Sequence, residues 1–248
     1  SITVTTVDGT AQVVKVTMKG TNDTPTVSAS SPSVTLVEAG GVDNVTAGTS
    51  SATIALTKVD VDGTASFDTS ALASNGWATA NSGVTYTKSG TYGEATLTIS
   101  SGVVSYLLGD IRSATQALTA NQSVTDSFTV GVTDGTATAS TTATFSITGS
   151  NDAAVITGTS TASLVETDAI LSTDGTLSAT DVDSSAAFVA QTDVAGSKGY
   201  GKFSITTAGA WTYTTYTAHN EFVAGQSYED SITVTTVDGT AQVVKVTM

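Results

Sequence analysis

The chain contains no cysteine. Disulfide staples, zinc–thiolate sites and thiol nucleophiles are therefore excluded. Proline occurs only twice in 248 residues, so the chain is not a proline-rich linker. Histidine occurs once, at His219, which excludes histidine-rich metal sites. Lysine and arginine together number 8 against 22 acidic residues, giving a net charge of −14. That field repels nucleic acid and anionic membranes and attracts cations. No run of 18 apolar residues is present, so no helix is long and apolar enough to cross a bilayer. No Gly-x-Ser-x-Gly elbow is present, and no other constellation points to an enzyme.

What is abundant is threonine, with 51 copies, together with valine, serine, alanine and glycine. β-Branched residues favour strands, so the composition argues against a helical bundle or a doubly wound α/β enzyme. The chain also repeats itself. Residues 1–18 and 231–248 are identical, SITVTTVDGTAQVVKVTM, at an offset of 230. A weaker period lies inside this one. Gly20-Thr-Asn-Asp23 is echoed by Gly149-Ser-Asn-Asp152, Leu36-Val-Glu38 by Leu164-Val-Glu166, and Val59-Asp-Val-Asp62 by Thr180-Asp-Val-Asp183. The order of the echoes is the same both times. One super-repeat therefore holds two diverged modules, residues 20–150 and 151–248, preceded by a hairpin (1–19) that reads as the tail of an earlier repeat.

Alternating runs around Asp-Gly predict hairpins at 1–18, 127–147 and 231–248. Further strands are expected near 33–37, 52–58, 84–88, 94–99, 103–107, 162–165, 176–180, 201–206 and 210–215. That density of short strands predicts an all-β chain of tandem antiparallel β-sandwich modules. One or two helical turns are expected between Leu107 and Ala120. Trp211 alternates as a core strand residue. Trp77 sits in a loop-like setting and is expected to pack. His219 reads as structural or solvated. Gly196-Ser-Lys-Gly-Tyr-Gly201-Lys202-Phe203 nearly matches a phosphate-binding loop, but Phe203 stands where Ser or Thr must hold magnesium. Asn44 and Asn121 begin glycosylation sequons. An isolated hairpin is marginal in water. Residues 1–18 are thus expected to pack on something, either within a continuous fibre or on a neighbouring chain by strand addition.

The carboxylates recur at fixed places. Asn22, Asp23 and Asn151, Asp152 lie at the module junctions. Asp60, Asp62 and Asp181, Asp183 form Asp-x-Asp pairs. Asp134 and Asp238 sit in the late hairpin turns, and Glu38 and Glu166 follow an early strand. Asp-Gly and Asn-Asp also suit turns for backbone reasons alone. Recurrence of the whole set, with few cationic side chains to offset it, points to calcium. That ion takes 6–8 hard oxygen ligands at about 2.3–2.6 Å.

These residues carry a resemblance. Val-Thr-x-x-Asp-Gly-Thr-Ala, followed by Gly20-Thr-Asn-Asp-x-Pro25, is similar to the end of a VCBS-type repeat. So is Gly175-Thr-Leu-Ser-Ala-Thr-Asp-Val-Asp183, followed by Gly-Tyr-Gly-Lys-Phe-Ser-Ile and Gly-Ala-Trp-Thr-Tyr. Such repeats occur in giant bacterial RTX-type surface adhesins and group with cadherin-like and immunoglobulin-like sandwiches. The resemblance covers nearly all of the second module. It covers the first at its ends and around Asp60, with an insertion near 64–90. It implies secretion to the bacterial cell surface, tandem extracellular arrays and calcium-stiffened linkers. It further implies that Glu38 meets Asn151, Asp152, Asp181, Asp183 and Asp238 at the inner junction, while Asn22, Asp23, Asp60, Asp62 and Asp134 face a preceding module. The cadherin Asp-Arg-Glu triplet and the RTX calcium nonapeptide are absent, and Ala153-Ala154 replaces Thr24-Pro25 at the second junction.

The expected function is a structural extender of a repetitive extracellular fibre or adhesin in cell attachment or biofilm, partnered by neighbouring copies of the repeat. One alternative is a self-assembling subunit completed by strand addition of residues 1–18. Another is a calcium-dependent glycan binder using exposed aromatics such as Trp77 or Tyr92. A surface or glycan ligand is otherwise expected at other parts of the parent protein.

Overall fold

The computed structural model describes residues 1–40 and 47–248. The sequon asparagine Asn44 lies outside the described residues. The alternation of β-branched and small polar residues produces an all-β chain. Strands β1 (Ile2–Thr5) and β2 (Ala11–Val14) pair only with each other. Then come β3 (Thr26–Ala29), β4 (Val34–Val37), β5 (Ser51–Val59), β6 (Ser66–Phe67), helix α1 (Thr69–Ser74), β7 (Ala78–Ala80), β8 (Thr85–Ser89), β9 (Gly93–Thr98) and β10 (Val103–Leu108). A single turn of helix α2 (Ser113–Gln116) precedes β11 (Ser123–Thr133) and β12 (Thr138–Thr148). The last group is β13 (Val155–Gly158), β14 (Thr161–Ser163), β15 (Ser172–Thr180), β16 (Gln191–Ala195), β17 (Gly201–Ile205), β18 (Ala210–Thr215), β19 (Glu229–Thr235) and β20 (Ala241–Thr247).

The first sandwich packs a six-stranded sheet, β3-β5-β10-β9-β8-β7, on a four-stranded one, β4-β12-β11-β6. The second packs β13-β15-β18-β17-β16 on β14-β20-β19. The strand orders match once β6 and β7, which have no strand counterpart in the second sandwich, are set aside. An isolated bridge, Phe188 to Thr236, stands where the first sandwich pairs Phe67 with Val132. The insertion in the first module is narrower than the echoes indicated. It is α1, β7 and a 3₁₀ turn at Asn81–Gly83, between β6 and β8. Asp68 caps α1 by accepting from the Ser70 and Ala71 amides, both at 3.0 Å.

Each sandwich closes in the same way. Its opening segment pairs first with one sheet and then crosses to the other. β3 runs antiparallel to β5, and β4 runs parallel to β12. Likewise β13 pairs antiparallel with β15 and β14 parallel with β20. Each has its own core. The first is built on Trp77, Tyr106, Phe128, Phe145 and Leu97, the second on Trp211, Tyr213, Phe203, Val234 and Val244. Trp77 is buried and donates to the Thr129 carbonyl at 2.9 Å, and Trp211 donates to Thr159 at 2.7 Å. His219 is also buried, between the Glu221 carboxylate and the Tyr200 carbonyl, and stacks on Phe222.

Both cores contain a buried aspartate where alternation places an apolar residue. Asp126 of β11 accepts from the Thr91 and Tyr92 amides at 2.9 and 3.0 Å and from the Tyr106 hydroxyl at 2.6 Å. Asp230 of β19 accepts from the amides of Lys198, Tyr200 and Gly201 at 2.8–3.1 Å and from the Tyr213 hydroxyl at 3.2 Å. Aspartate and tyrosine belong to opposite sheets, so each carboxylate ties the two layers together. Burial, reinforced by the neighbouring aspartate, pushes both tyrosine hydroxyls well above their usual range. The phosphate-loop look-alike at 196–202 is this device. Its amides form a nest for the chain's own carboxylate. A Cβ on Gly196 would fall 2.1 Å from Asp230 Oδ2, and one on Gly90 would fall 2.1 Å from Asp126 Oδ2, so glycine is required at both.

Replacing Asp230 by alanine strands three amides and a hydroxyl inside the core. The expected cost is about 3 kcal/mol or more, read as a drop in urea midpoint followed through Trp211 fluorescence. Glu229→Ala, which removes only an exposed contact with Lys245 at 2.9 Å, is expected to cost less than about 1 kcal/mol. Equal losses in the two variants would refute the stapling role.

Candidate functional site

Apart from Glu38 and Glu166, the recurrent acidic residues lie at the entry end of each sandwich. The local chemistry is the same twice. Asn22 donates its side-chain amide to the Asp23 carbonyl at 2.9 Å, as Asn151 does to Asp152 at 3.1 Å. Asp60 Oδ1 accepts from the amides of Asp62 and Gly63, both at 3.2 Å. Asp181 Oδ1 accepts from those of Asp183 and Ser184 at 3.1 and 2.9 Å. These bonds fold Asp-x-Asp into a turn instead of a straight strand end. Asp134 and Asp238 each receive amides from their own hairpin, Thr136 and Ala137 in one case and Thr240 in the other.

The links across the chain differ. At the first pole the Asp23 amide donates to Asp62 at 3.2 Å and Asn22 reaches Asp134 Oδ2 at 2.9 Å. At the second, Asp238 Oδ2 accepts from the Ala154 amide at 3.0 Å. At the first pole the linker, the Asp-x-Asp turn and the late hairpin are thus joined, and at the second the linker and the late hairpin are joined although they lie 84 residues apart in sequence.

Glu38 distinguishes the two poles. It follows β4, and its amide donates to the Thr148 carbonyl at 2.9 Å, which continues the parallel pairing by one step. This turns the side chain into a fully buried position at the junction. Its carboxylate accepts from the Ser150 amide at 3.2 Å and the Gln116 side chain at 3.3 Å. Burial pushes the Glu38 carboxyl up to about 7, and the charges of Asp152, Asp183 and Asp110 add to the rise. Asp183 is likewise raised to about 6, first by burial and then by Asp181 and Asp152. Both of its oxygens are buried without a hydrogen bond of good geometry, and so is one oxygen of Asp110. Asp238 moves the other way, to about 2, because hydrogen bonds from Thr236, Thr240 and Ala154 outweigh its burial. Among the described residues no Lys or Arg forms an ion pair with Glu38, Asp110, Asp181, Asp183 or Asp238.

Glu38, Asp152, Asp181, Asp183 and Asp238 therefore share one junction. Asn22, Asp23, Asp60, Asp62 and Asp134 share the exposed pole of the first sandwich. Glu166 joins neither. It lies at the other end of the second sandwich, half-buried, lining a cavity of about 410 Å³ with Phe222, Val223, Tyr228 and Met248. Asp110 is the member that sequence reasoning missed. It stands in Gly109-Asp-Ile-Arg112, inside the stretch where helical turns were expected and just before α2, and has no echo in the second module. Among the described residues no three His, Cys, Asp or Glu side chains converge closely enough to grip one ion as they stand.

No known family's sequence model matches the chain. No curated protein matches it in sequence. Among solved structures it is similar to Drosophila N-cadherin EC1-4, at 14% identity over 91% of this chain and 49% of that one, with a TM-score of 0.43. The extracellular domain of protocadherin GammaB4 gives 13% identity over 92% of this chain and 32% of that one, with a TM-score of 0.44. Human protocadherin-24 EC1-2 gives 15% identity over 91% and 97%, with a TM-score of 0.39. The chain spans about half or less of the length of the first two.

The junction predicts a stability profile with a maximum. Glu38 and Asp183 titrate in the folded chain at about 7 and about 6, above their ordinary values of 4.5 and 3.8. Within that window the folded state binds more protons, so stability rises as pH falls. Asp238, held at about 2, has the opposite effect, and its stabilisation is lost as pH drops below its ordinary 3.8. In chelator, the melting temperature is expected to climb between pH 7 and pH 5 and to fall below pH 4. Glu38→Gln should flatten the upper limb, and a wild-type profile that is level from pH 7 to pH 5 would contradict this reading.

Proposed function

We propose that the chain is a non-catalytic spacer of an extracellular fibre or adhesin, made of successive sandwich modules (20–150 and 151–248) whose junction is stiffened by a divalent cation, calcium by its ligand chemistry. The observation that supports it is the Glu38 junction. Carboxylates from two modules are drawn together and partly desolvated, two of them are pushed toward neutrality, and among the described residues no Lys or Arg forms an ion pair with Glu38, Asp110, Asp181, Asp183 or Asp238. Such a cluster destabilises the folded chain unless a counter-charge arrives.

The donor set is all oxygen and hard, which suits calcium and does not suit zinc or copper. Glu38, Asp110, Asp152, Asp181, Asp183 and Asp238 would hold the ion, with Asn151 beside them. When bound, the ion supplies the positive charge that the chain's few lysines and arginines do not. The protein's own part is to bring the two modules' carboxylates to one place and to exclude water around Glu38. Asn22, Asp23, Asp60, Asp62 and Asp134 form the equivalent set for a preceding copy of the repeat, and Glu166 for a following one. Each strand of about ten residues spans roughly 35 Å, so modules in series would hold a binding tip at a distance from the cell.

A glycan-binding reading built on exposed aromatics is not favoured. Trp77 is buried and its indole nitrogen is already bonded to Thr129, and Tyr92 packs against the first core.

Calcium at about 5 mM, well above the roughly 10⁻⁴–10⁻³ M affinities of extracellular modules, is expected to raise the melting temperature by several degrees over excess chelator. Glu38→Gln should act in opposite directions. It should raise the melting temperature in chelator at pH 7.5 by removing a repelled charge, and should shrink the calcium-induced shift. Identical wild-type melts with calcium and with chelator would sink the proposal.

A further inference from the structure

The two sandwiches tie down the same loop in different ways. Between β10 and β11, the Thr115 hydroxyl donates to the Tyr92 carbonyl at 3.3 Å, and the Gly109 amide donates to the same oxygen at 2.8 Å. Between β18 and β19, the Tyr216 amide donates to the Tyr200 carbonyl at 2.9 Å, and His219 stands in the place of Thr115, with Nε2 at 2.6 Å from that oxygen. Tyr92 and Tyr200 are equivalent, since each donates its own amide to the buried aspartate of its sandwich, Asp126 or Asp230. Among the described residues, the other hydrogen bonds of residues 217–227 stay inside the segment 217–228. His219 is thus the polar tie between this loop and the rest of the second sandwich.

The imidazole meets an oxygen at both nitrogens. Nδ1 lies 2.7 Å from the Glu221 carboxylate, and neither a carboxylate nor a carbonyl can donate. A neutral ring has one N–H, so one of the two contacts would set lone pair against lone pair. The imidazolium donates to both. Glu221 is exposed and is held below its usual range by its hydrogen bond with His219, so it remains a carboxylate. Burial of the ring opposes its charge. The hydrogen bonds to Glu221 and Tyr200, with the charges of Glu221 and Asp230, outweigh that burial and raise His219 above its ordinary 6.5. The titratable groups facing the ring are therefore Glu221 on the loop, Tyr200 before β17 and Asp230 on β19, with Tyr228 beyond Phe222. The ring also anchors the loop's aromatic stack. His219 stacks on Phe222 at 4.8 Å, Phe222 stacks on Tyr228 at 3.9 Å, and Tyr200 sets its edge against all three. His219 holds a φ of 58°, a left-handed conformation that costs energy outside glycine.

We propose that residues 216–228 form a pH-operated latch on the second sandwich: charged His219 clamps the loop to Tyr200, and loss of its proton releases residues 217–227. The sign follows from linkage. The clamp's stabilisation is complete below the ordinary value of 6.5 and is lost as pH rises through the higher value of the folded chain. The second sandwich therefore loosens at this loop in mildly alkaline surroundings. In the first, Thr115 makes the tie with a hydroxyl that has no charge to lose. The latch is independent of the calcium junction.

His219 is the only histidine of the chain, so its ring signals in the NMR spectrum of the full chain are unambiguous. In a titration from about pH 6 to about pH 9, both ring N–H groups are expected at the acid end, and one is expected to be lost at a pH above 6.5. The amides of Phe222, Val223 and Gln226 are hydrogen-bonded inside the loop. Their protection, corrected for the intrinsic pH dependence of exchange, should fall over the same range, by about tenfold for each pH unit that the ring is held above its ordinary value. Glu221→Gln keeps the side chain's size and removes the counter-charge, so both transitions should move together to lower pH. His219→Asn, a residue that accepts the left-handed backbone, should leave the loop weakly protected throughout. Four outcomes would overturn the latch: a wild-type ring that titrates at or below 6.5, loop protection that stays level while the ring loses its proton, transitions that Glu221→Gln leaves in place, or a loop that still loosens with rising pH in His219→Asn.

Discussion

The buried carboxylate that joins the two sheets is the constraint on which the rest of each sandwich depends. A chain without cysteine must cross-link its layers in some other way. Here Asp126 and Asp230 do so, each drawing backbone amides from the turn before one strand and a tyrosine hydroxyl from the next strand of the opposite sheet. The charge is met by dipoles, with no cationic partner required. That suits a chain with only 8 basic residues. The nest also dictates sequence around it. Glycine is forced at 90 and 196 by the carboxylate, and at 93 and 201 by the Leu107 and Thr214 carbonyls, 2.3 and 2.4 Å from where a Cβ would lie, together with the tyrosine side chain at 2.5–2.7 Å.

The poles use the same residue type in the opposite way. Within the sandwiches an aspartate is satisfied by the backbone. At the junction, Glu38 and Asp183 are drawn toward other carboxylates and away from water, and their protons are held more tightly as a result. The parallel pairing of β4 with β12 delivers Glu38 to that place, because it lays the residue after β4 against the residues that leave β12 for the next sandwich. Fold and junction are therefore one construction.

Much of this was legible in the sequence. Asp-Gly between alternating runs marked the hairpins, and the ordered echoes matched the local turns that repeat, Asp60 with Asp181 and Asp134 with Asp238. The opening strands β3 and β13 escaped notice because they are short and half-exposed, with no continuous apolar phase. Helix α1 escaped because its signals, an Asp cap and a closing Asn75-Gly76, flank only six residues. Asp126 and Asp230 were readable in principle. Each falls in the inward phase of its strand, in step with Phe128 and Val130 or with Ile232 and Val234, and a lone carboxylate in that phase implies a buried partner set. Asp110 carried no such phase. Its place depends on how the loop after β10 folds back on Glu38, which no local pattern encodes.

The parallel pairs have a mechanical meaning. In each sandwich the strand near the entry of the chain lies beside the strand at its exit, β4 with β12 and β14 with β20, pointing the same way. A pull on the two ends therefore slides these neighbours along each other. Their hydrogen bonds, and those of the segments that flank them, are loaded together in shear and do not open one at a time like a zipper. The geometry that positions the junction carboxylates thus also places the terminal strand pairs in shear when the chain is pulled.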